Sequence, residues 1–302
     1  MRISFSTLAC PEWNWQEVLQ HGVQYGYDGV EVRLLKGEVD LLAAPELRPH
    51  ELPLRRREME DSGFVICGLS SSVRFDEPTA AQRTARLETG YRYLDLAHEL
   101  RTSFVRVFGD VLPQGANAAI EDATIDQIAD GLNRLGERGA AAGVDVLIET
   151  HGDFADSARM QRLMRQVVSP AVGLLWDTHH PWRFYGESLA TTFERLRPWT
   201  RHTHWKDSVT RLVPRDTGHS TEAATQAHAL MSGHRPADYV LFGGGEFPAH
   251  EAFRLLQDAG YAGWYSLEWE KAWYPEIEPP EVALPLFPRK LQTLAMLCKG
   301  HL

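Results

Sequence analysis

Glu149, Asp177, His204 and Glu268 each stand at or near the end of a β-branched or aromatic-rich run: VDVLIET, VGLLWDT, RHTHWKD and WYSLEWE. Three carboxylates and one imidazole are donors for a single divalent cation, Mn²⁺ first, with Mg²⁺, Co²⁺ or Zn²⁺ as alternatives. The four are separated by 28, 27 and 64 residues, so only the tertiary fold can bring them to one ion. A parallel barrel does this, because every strand delivers its C-terminal end to the same face. A lone acid at a strand end is more often a helix N-cap or a loop ion pair. Four on consecutive strands are less easily explained that way. Side chains alternate along a strand, so His151 and His202 lie on the same side as the ligands two residues away, and both are candidates for substrate contact. His179 has the opposite parity to His180 and is read as structural.

The elements that must position these residues are legible as eight runs with intervening helical spacing. The runs are ISFST (3–7), GVEVRLL (29–35), VICGLSS (65–71), FVRVFG (104–109), VDVLIET (144–150), GLLWDT (173–178), HTHWKD (202–207) and YSLEWE (265–270). Helices are predicted over 15–25, 45–62, 79–100, 120–142, 157–168, 189–196, 248–259 and a C-terminal segment, 281–298. In the fourth, Ile125, Ile128, Leu132 and Leu135 recur at three- and four-residue spacing, the mark of one inward-facing stripe. Gly63, Gly143 and Gly260 follow helices where a left-handed cap suits glycine. Strict β-then-α alternation predicts a single-domain α/β (β/α)₈ TIM barrel over residues 1–302. One connection, at about 208–246, breaks the rhythm and reads as a lid, a binding loop or a surface excursion. Its Arg211, Arg215, His219 and His234 are candidates to meet an anionic substrate.

Composition narrows the function. With 43% hydrophobic residues in 302, the chain can bury a large core. The N-terminal MRISFSTLAC carries no long apolar stretch, and no window reaches the ~20 apolar residues of a spanning helix. The expectation is a soluble, cytoplasmic protein with no membrane partner, compatible with a homo-oligomer. Cys10, Cys67 and Cys298 are too few and too scattered for a disulfide framework or a zinc knuckle. A net charge of −10 has the wrong sign for a phosphate-backbone binder, so no nucleic-acid partner is expected.

LIETHG (147–152), WDTHH (176–180), HTHWKDS (202–208), FGGGEFP (242–248) and YSLEWEKAWYPE (265–276) together resemble the xylose isomerase-like barrel superfamily, in particular its sugar phosphate isomerase/epimerase group. The resemblance spans all four ligand-bearing strands and, through the strand–helix rhythm, essentially the whole chain. It implies that Glu149, Asp177, His204 and Glu268 bind the metal, and that Glu149 and Glu268 also move protons at a small-molecule sugar or polyol-derived substrate. Removal of a proton beside a carbonyl, through a metal-stabilised enediolate, would give isomerisation or epimerisation. His180 matches the family's substrate-orienting histidine, and Lys206 belongs to the H-x-K-D piece, where it can meet a substrate hydroxyl or carboxylate. Glu31, Arg33 and Arg106 are further candidates for the pocket wall, with buried ion pairs as their alternative reading. Trp13, Trp176, Trp205, Trp269 and Trp273 cluster near the same strand ends, where they would suit sugar rings or fill the core.

Departures from the family pattern open other readings. Ketose 3-epimerases of this group carry a glutamate and an arginine where this chain has Ala155 and Thr210; Arg211 is one residue late. Dehydration of an inosose or keto-sugar begins with the same deprotonation and is the leading alternative. A non-catalytic or partner-dependent metal- or sugar-binding subunit is a second. Endonuclease IV-like phosphodiester hydrolysis is a third, disfavoured by the absence of extra histidines in GLSSSV and RVFGD. Gly243, Gly244 and Gly245 lack the context of a phosphate cradle and are read as shaping a turn.

Overall fold

The computed structural model describes residues 1–211 and 237–299. Eight parallel strands close into a barrel: β1 (Arg2–Ser6), β2 (Gly29–Val32), β3 (Val65–Arg74), β4 (Phe104–Phe108), β5 (Asp145–Glu149), β6 (Val172–Asp177), β7 (Thr200–Trp205) and β10 (Trp264–Leu267). The last strand closes the ring against the first, with Arg2 opposite Trp264 and Phe5 opposite Leu267. Helices lie between the strands: α1 (Trp15–Gln24), α2 (Leu52–Ser62), α3 (Ala80–Glu99), α4 (Ala118–Ala142), α5 (Ser157–Met164), α6 (His180–Tyr185), α7 (Leu189–Leu196), α8 (Ala249–Asp258) and, after the last strand, α9 (Pro280–Lys299). None of the described helices is long and apolar enough to cross a membrane.

Patterning explains why these segments settle as they do. Strands covered on both faces must be nearly all buried, and all six residues of β6 are. The stripe of α4 is buried completely at Ile125, Ile128, Leu132 and Leu135, worth about 1.5–3 kcal/mol per side chain on a transfer scale. Gly63 and Gly143 cap α2 and α4 with φ of 69° at both. Capping boxes at Asn14 and Thr79 set the first turns of α1 and α3. All three cysteines are free.

Three elements differ from the sequence expectation. The helix predicted over 45–62 divides into a 3₁₀ turn, Pro45–Leu47, and α2, where Pro53 falls at the start of a new helix. The short α6, which was not foreseen, starts directly after β6, with Pro181 in its first turn. The long connection contributes β8 (Asp207–Thr210) and β9 (Ala237–Val240), an antiparallel pair outside the barrel. Arg215, His219 and His234 lie outside the described residues.

Candidate metal centre

The barrel's C-terminal mouth collects one candidate ligand from each of four adjacent strands. Glu149 ends β5, Asp177 ends β6, His204 lies opposite Asp177 in β7, and Glu268 follows β10, its N–H still bonded to the Trp205 carbonyl. One potential ligand atom from each falls within 4.8 Å of the others, and all four residues are buried. Their orientation is built by neighbours. The backbone N–H groups of His179 and His180 donate to Asp177 Oδ1 at 2.9 and 2.8 Å, which turns Oδ2 toward the centre. His204 Nε2 lies 2.8 Å from Glu31 Oε2, and Nδ1 faces Glu149 Oε1 and Glu268 Oε2, each at 3.2 Å. A carboxylate behind an imidazole fixes the tautomer that offers the other nitrogen to a metal. Glu31 is in turn held by Ser70 Oγ and by His202 Nε2.

These donors fit a divalent cation on two counts. Asp177 Oδ2 and Glu149 Oε2 are buried without a hydrogen bond. Lys206 Nζ at 2.9 Å and Arg106 Nε at 3.3 Å are close to them but not aligned to donate. Among the described residues, the three candidate ligand carboxylates Glu149, Asp177 and Glu268 have only Arg106 and Lys206 as arginine or lysine partners within ion-pair distance. One negative charge is left over, and buried charge without a partner is costly. Protonation of His204 offsets part of this: burial opposes its charge, but Glu268, Glu31 and Glu149 outweigh burial and raise it well above the histidine range.

Lys206 occupies one flank. Its ammonium contacts Glu268 Oε2, lies 2.7 Å from Glu270 Oε1 and 3.1 Å from His180 Nε2. Burial lowers its affinity for a proton, yet Asp177, Glu268 and Glu270 reverse that and hold it charged. His180 Nδ1 is anchored 3.0 Å from the Thr150 carbonyl, so Nε2 is the acceptor for Lys206. Beyond His180, whose ring lies 5.4 Å away, His151 Nδ1 sits 2.8 Å from Asp110 Oδ1 and its ring packs on Phe108. Asp110 has a φ of 55°, uncommon for a residue with a side chain. Its carbonyl accepts from Asp153 N at 2.7 Å, and a Cβ on Gly152 would come within 2.4 Å of the same oxygen.

Not every expected contact faces the centre. His202 is buried beneath His204, against Glu31 and the Phe104 ring; it supports Glu31 rather than facing open pocket, because the strand carries it one layer deeper than His204. Arg211 is committed to the hairpin through Asp238 Oδ1 at 2.7 Å and the Ala237 carbonyl. Thr210 bonds Glu246 and Arg183, and Ala155 is buried. Trp176 packs on Phe193, Trp205 on Tyr265 and Phe247, and Trp13 on His21; Trp269 donates to the Glu278 carbonyl. Their parity or loop position takes these four into the core. The Trp273 ring instead lies 5.9 Å from Arg33 Cζ. Two groups escaped the sequence reading. Glu270 carries a signal, the period of two from Glu268; Asp110 carries none, because a left-handed strand end is not written in residue type. The glycine turn is not a phosphate cradle: the N–H groups of Gly243, Gly245 and Phe247 are taken by the Asp207 carboxylate at 2.9, 2.9 and 3.0 Å.

The closed parallel barrel agrees with the family comparison, in which the xylose isomerase-like TIM barrel pattern matches residues 19–286. The chain belongs to that family. Within the xylose isomerase-like barrels, it is 28% identical over 148 residues to an inosose dehydratase from Lacticaseibacillus casei, covering 48% of this chain and 47% of the relative. It thus spans about half the length of that curated relative. Among solved structures, a probable 3-DHS dehydratase from Bacillus anthracis superposes with a TM-score of 0.73 at 20% identity, covering 97% of this chain and 99% of the other. A 3-keto-D-glucoside 4-epimerase from E. coli gives 0.70 at 16% identity, with 98% and 99% covered. At those identities the structural likeness establishes the fold.

Proposed function

We propose that this protein is a divalent-metal-dependent enzyme that removes the proton beside the carbonyl of a hydroxylated ketone derived from a sugar or polyol, and then expels a β-hydroxyl as water. The observation that carries the reading is the convergence of Glu149, Asp177, His204 and Glu268 within 4.8 Å, with Lys206 against Glu268 and the His151–Asp110 pair beside His180. Similarity to inosose dehydratases favours elimination. A bound divalent cation, with Mn²⁺ the first candidate, supplies polarisation of the carbonyl.

The chain's own groups divide the remaining work. A Glu268 carboxylate oxygen takes the α-proton. The Lys206 ammonium, held by Glu270, faces the negative charge that develops on the substrate. Burial and Glu268 push the Glu270 carboxyl up against the pull of Lys206, to about 7, where it exchanges protons readily at neutral pH. His151, with Nδ1 directed to Asp110, delivers a proton from Nε2 to the departing hydroxyl. The electron pair of the broken C–H bond becomes the new C=C bond, and the hydroxyl leaves with the His151 proton as water.

A second reading, isomerisation or epimerisation, is favoured by the presence of two glutamates, Glu149 and Glu268, in the same ligand cluster. One would remove the proton and the other return it. The Mn²⁺-loaded protein is incubated with inososes and keto-sugars in D₂O and followed by NMR and by enone absorbance. Enone with α-proton loss is the expected result; deuterium incorporation without enone selects the second reading. Absence of both across the panel would overturn the proton-abstraction proposal.

A further inference from the structure

Two arginines enter the barrel mouth from the side opposite Lys206. Val32 of β2 pairs with Leu69 of β3, and the next β3 residue, Ser70, pairs with Arg106 of β4. Arg33, one residue past Val32, therefore reaches about the same height as Arg106 with β3 between them. Both are buried. Arg33 has no carboxylate within ion-pair distance among the described residues; its guanidinium bonds Ser72 Oγ at 2.9 Å and faces Trp273. Arg106 lies over the Phe108 ring at 3.8 Å and beside Glu149, yet its Nε and Nη1 are buried without hydrogen bonds. Burial, then the charge of Arg106, press the Arg33 guanidinium down to about 10.

Two buried guanidiniums, Arg106 with idle donors and Arg33 with no ion pair among the described residues, are expensive unless an anion joins them. Glu149, the one carboxylate beside Arg106, belongs to the metal ligand set and is already shared. Resting on the proton-abstraction reading, we infer that the substrate carries a carboxylate, bound between Arg33 and Arg106 with its ring against Phe108 and Trp273, while its hydroxyketone end faces Glu268 and Lys206. Guanidinium forks bind either anion; a monoanionic carboxylate is chosen over a dianionic phosphate because Glu149 already offsets the Arg106 charge, and because the glycine turn that could have cradled a phosphate spends its N–H groups on Asp207.

The test is calorimetry on metal-loaded protein with D-glucuronate, D-glucose, D-glucose 6-phosphate and acetate. Glucuronate is expected to bind at least about tenfold more tightly than glucose, the least that one charge-assisted hydrogen bond provides. That advantage should collapse in Arg33→Met and return in part in Arg33→Lys, with thermal melts confirming that both variants fold. An advantage that survives Arg33→Met would mean that the carboxylate binds the metal instead, and would overturn the inference. So would equal binding of glucose and glucuronate, tighter binding of the phosphate, or no binding of either glucuronate or acetate. If carboxylate-selective binding holds and no ketone is deprotonated, the proposed reaction falls and the anion site stands; the reverse result sinks only the anion site.

Discussion

His204 is the residue in which the site's electrostatics meet. Its Nε2 is tied to Glu31, and its Nδ1 faces the other ligands. With its folded pKa raised, its charge stabilises the metal-free fold fully below the unfolded value of about 6.5, and that contribution is lost as pH rises through the folded value. A metal needs the Nδ1 lone pair, so uptake near neutral pH should release about one proton and tighten as pH rises. Calorimetry in buffers of different ionisation enthalpy measures this; uptake with no proton release would contradict the assignment. Glu31→Gln should weaken metal binding about 10–100-fold, read by competition with a chelating dye. Asp110→Asn leaves the shape of the strand end but removes the charge behind His151. Turnover should fall about 10²-fold or more with the melting temperature nearly unchanged, and wild-type turnover would remove His151–Asp110 from the reaction.

At the scale of elements, the connection after β7 shows how a single side chain organises a segment. Asp207 opens β8 and gathers Ser208, Gly243, Gly245 and Phe247 N–H groups onto its carboxylate. A Cβ on Gly245 would stand 2.2 Å from Asp207 Oδ1 and 2.6 Å from the Ser208 carbonyl. Gly245→Ala should therefore destabilise the protein by about 1–3 kcal/mol in urea unfolding, whereas Gly244→Ala, whose Cβ would meet only Leu241 O at 3.1 Å, should cost less. Equal costs would show that the turn is not shaped around Asp207. The strands and most helices were legible because burial imposes periods of two and 3.6 on residue type. The break at 48–51 was weakly written, since Pro53 reads equally as a start or a flaw. Short α6 was hidden by the chemistry of its own residues, His180 and Pro181.

For the molecule as a whole, the barrel mouth stores an imbalance. Its three candidate ligand carboxylates exceed the arginine and lysine partners beside them by one charge among the described residues, and a divalent ion would relieve that strain only in the folded state. Metal at about 100 times its Kd should add roughly 2.7 kcal/mol of stability, seen as a rise in Tm that chelation reverses; a Tm indifferent to metal would argue that the cluster does not bind it. The sequence by itself determined the barrel and the order of the four candidate ligands around its mouth, because strand period and β/α alternation are local consequences of burial. It could not tell which same-parity residue reaches the open centre. His202 and His204 share a parity, yet one supports Glu31 from below while the other faces the ligands. It also gave Arg33 and Arg106 only as candidates for the pocket wall, with buried ion pairs as the alternative reading. Only the register of β2, β3 and β4 puts these two charges at one height without enough anions between them, and depth within a closed barrel is a property of register, not of residue type.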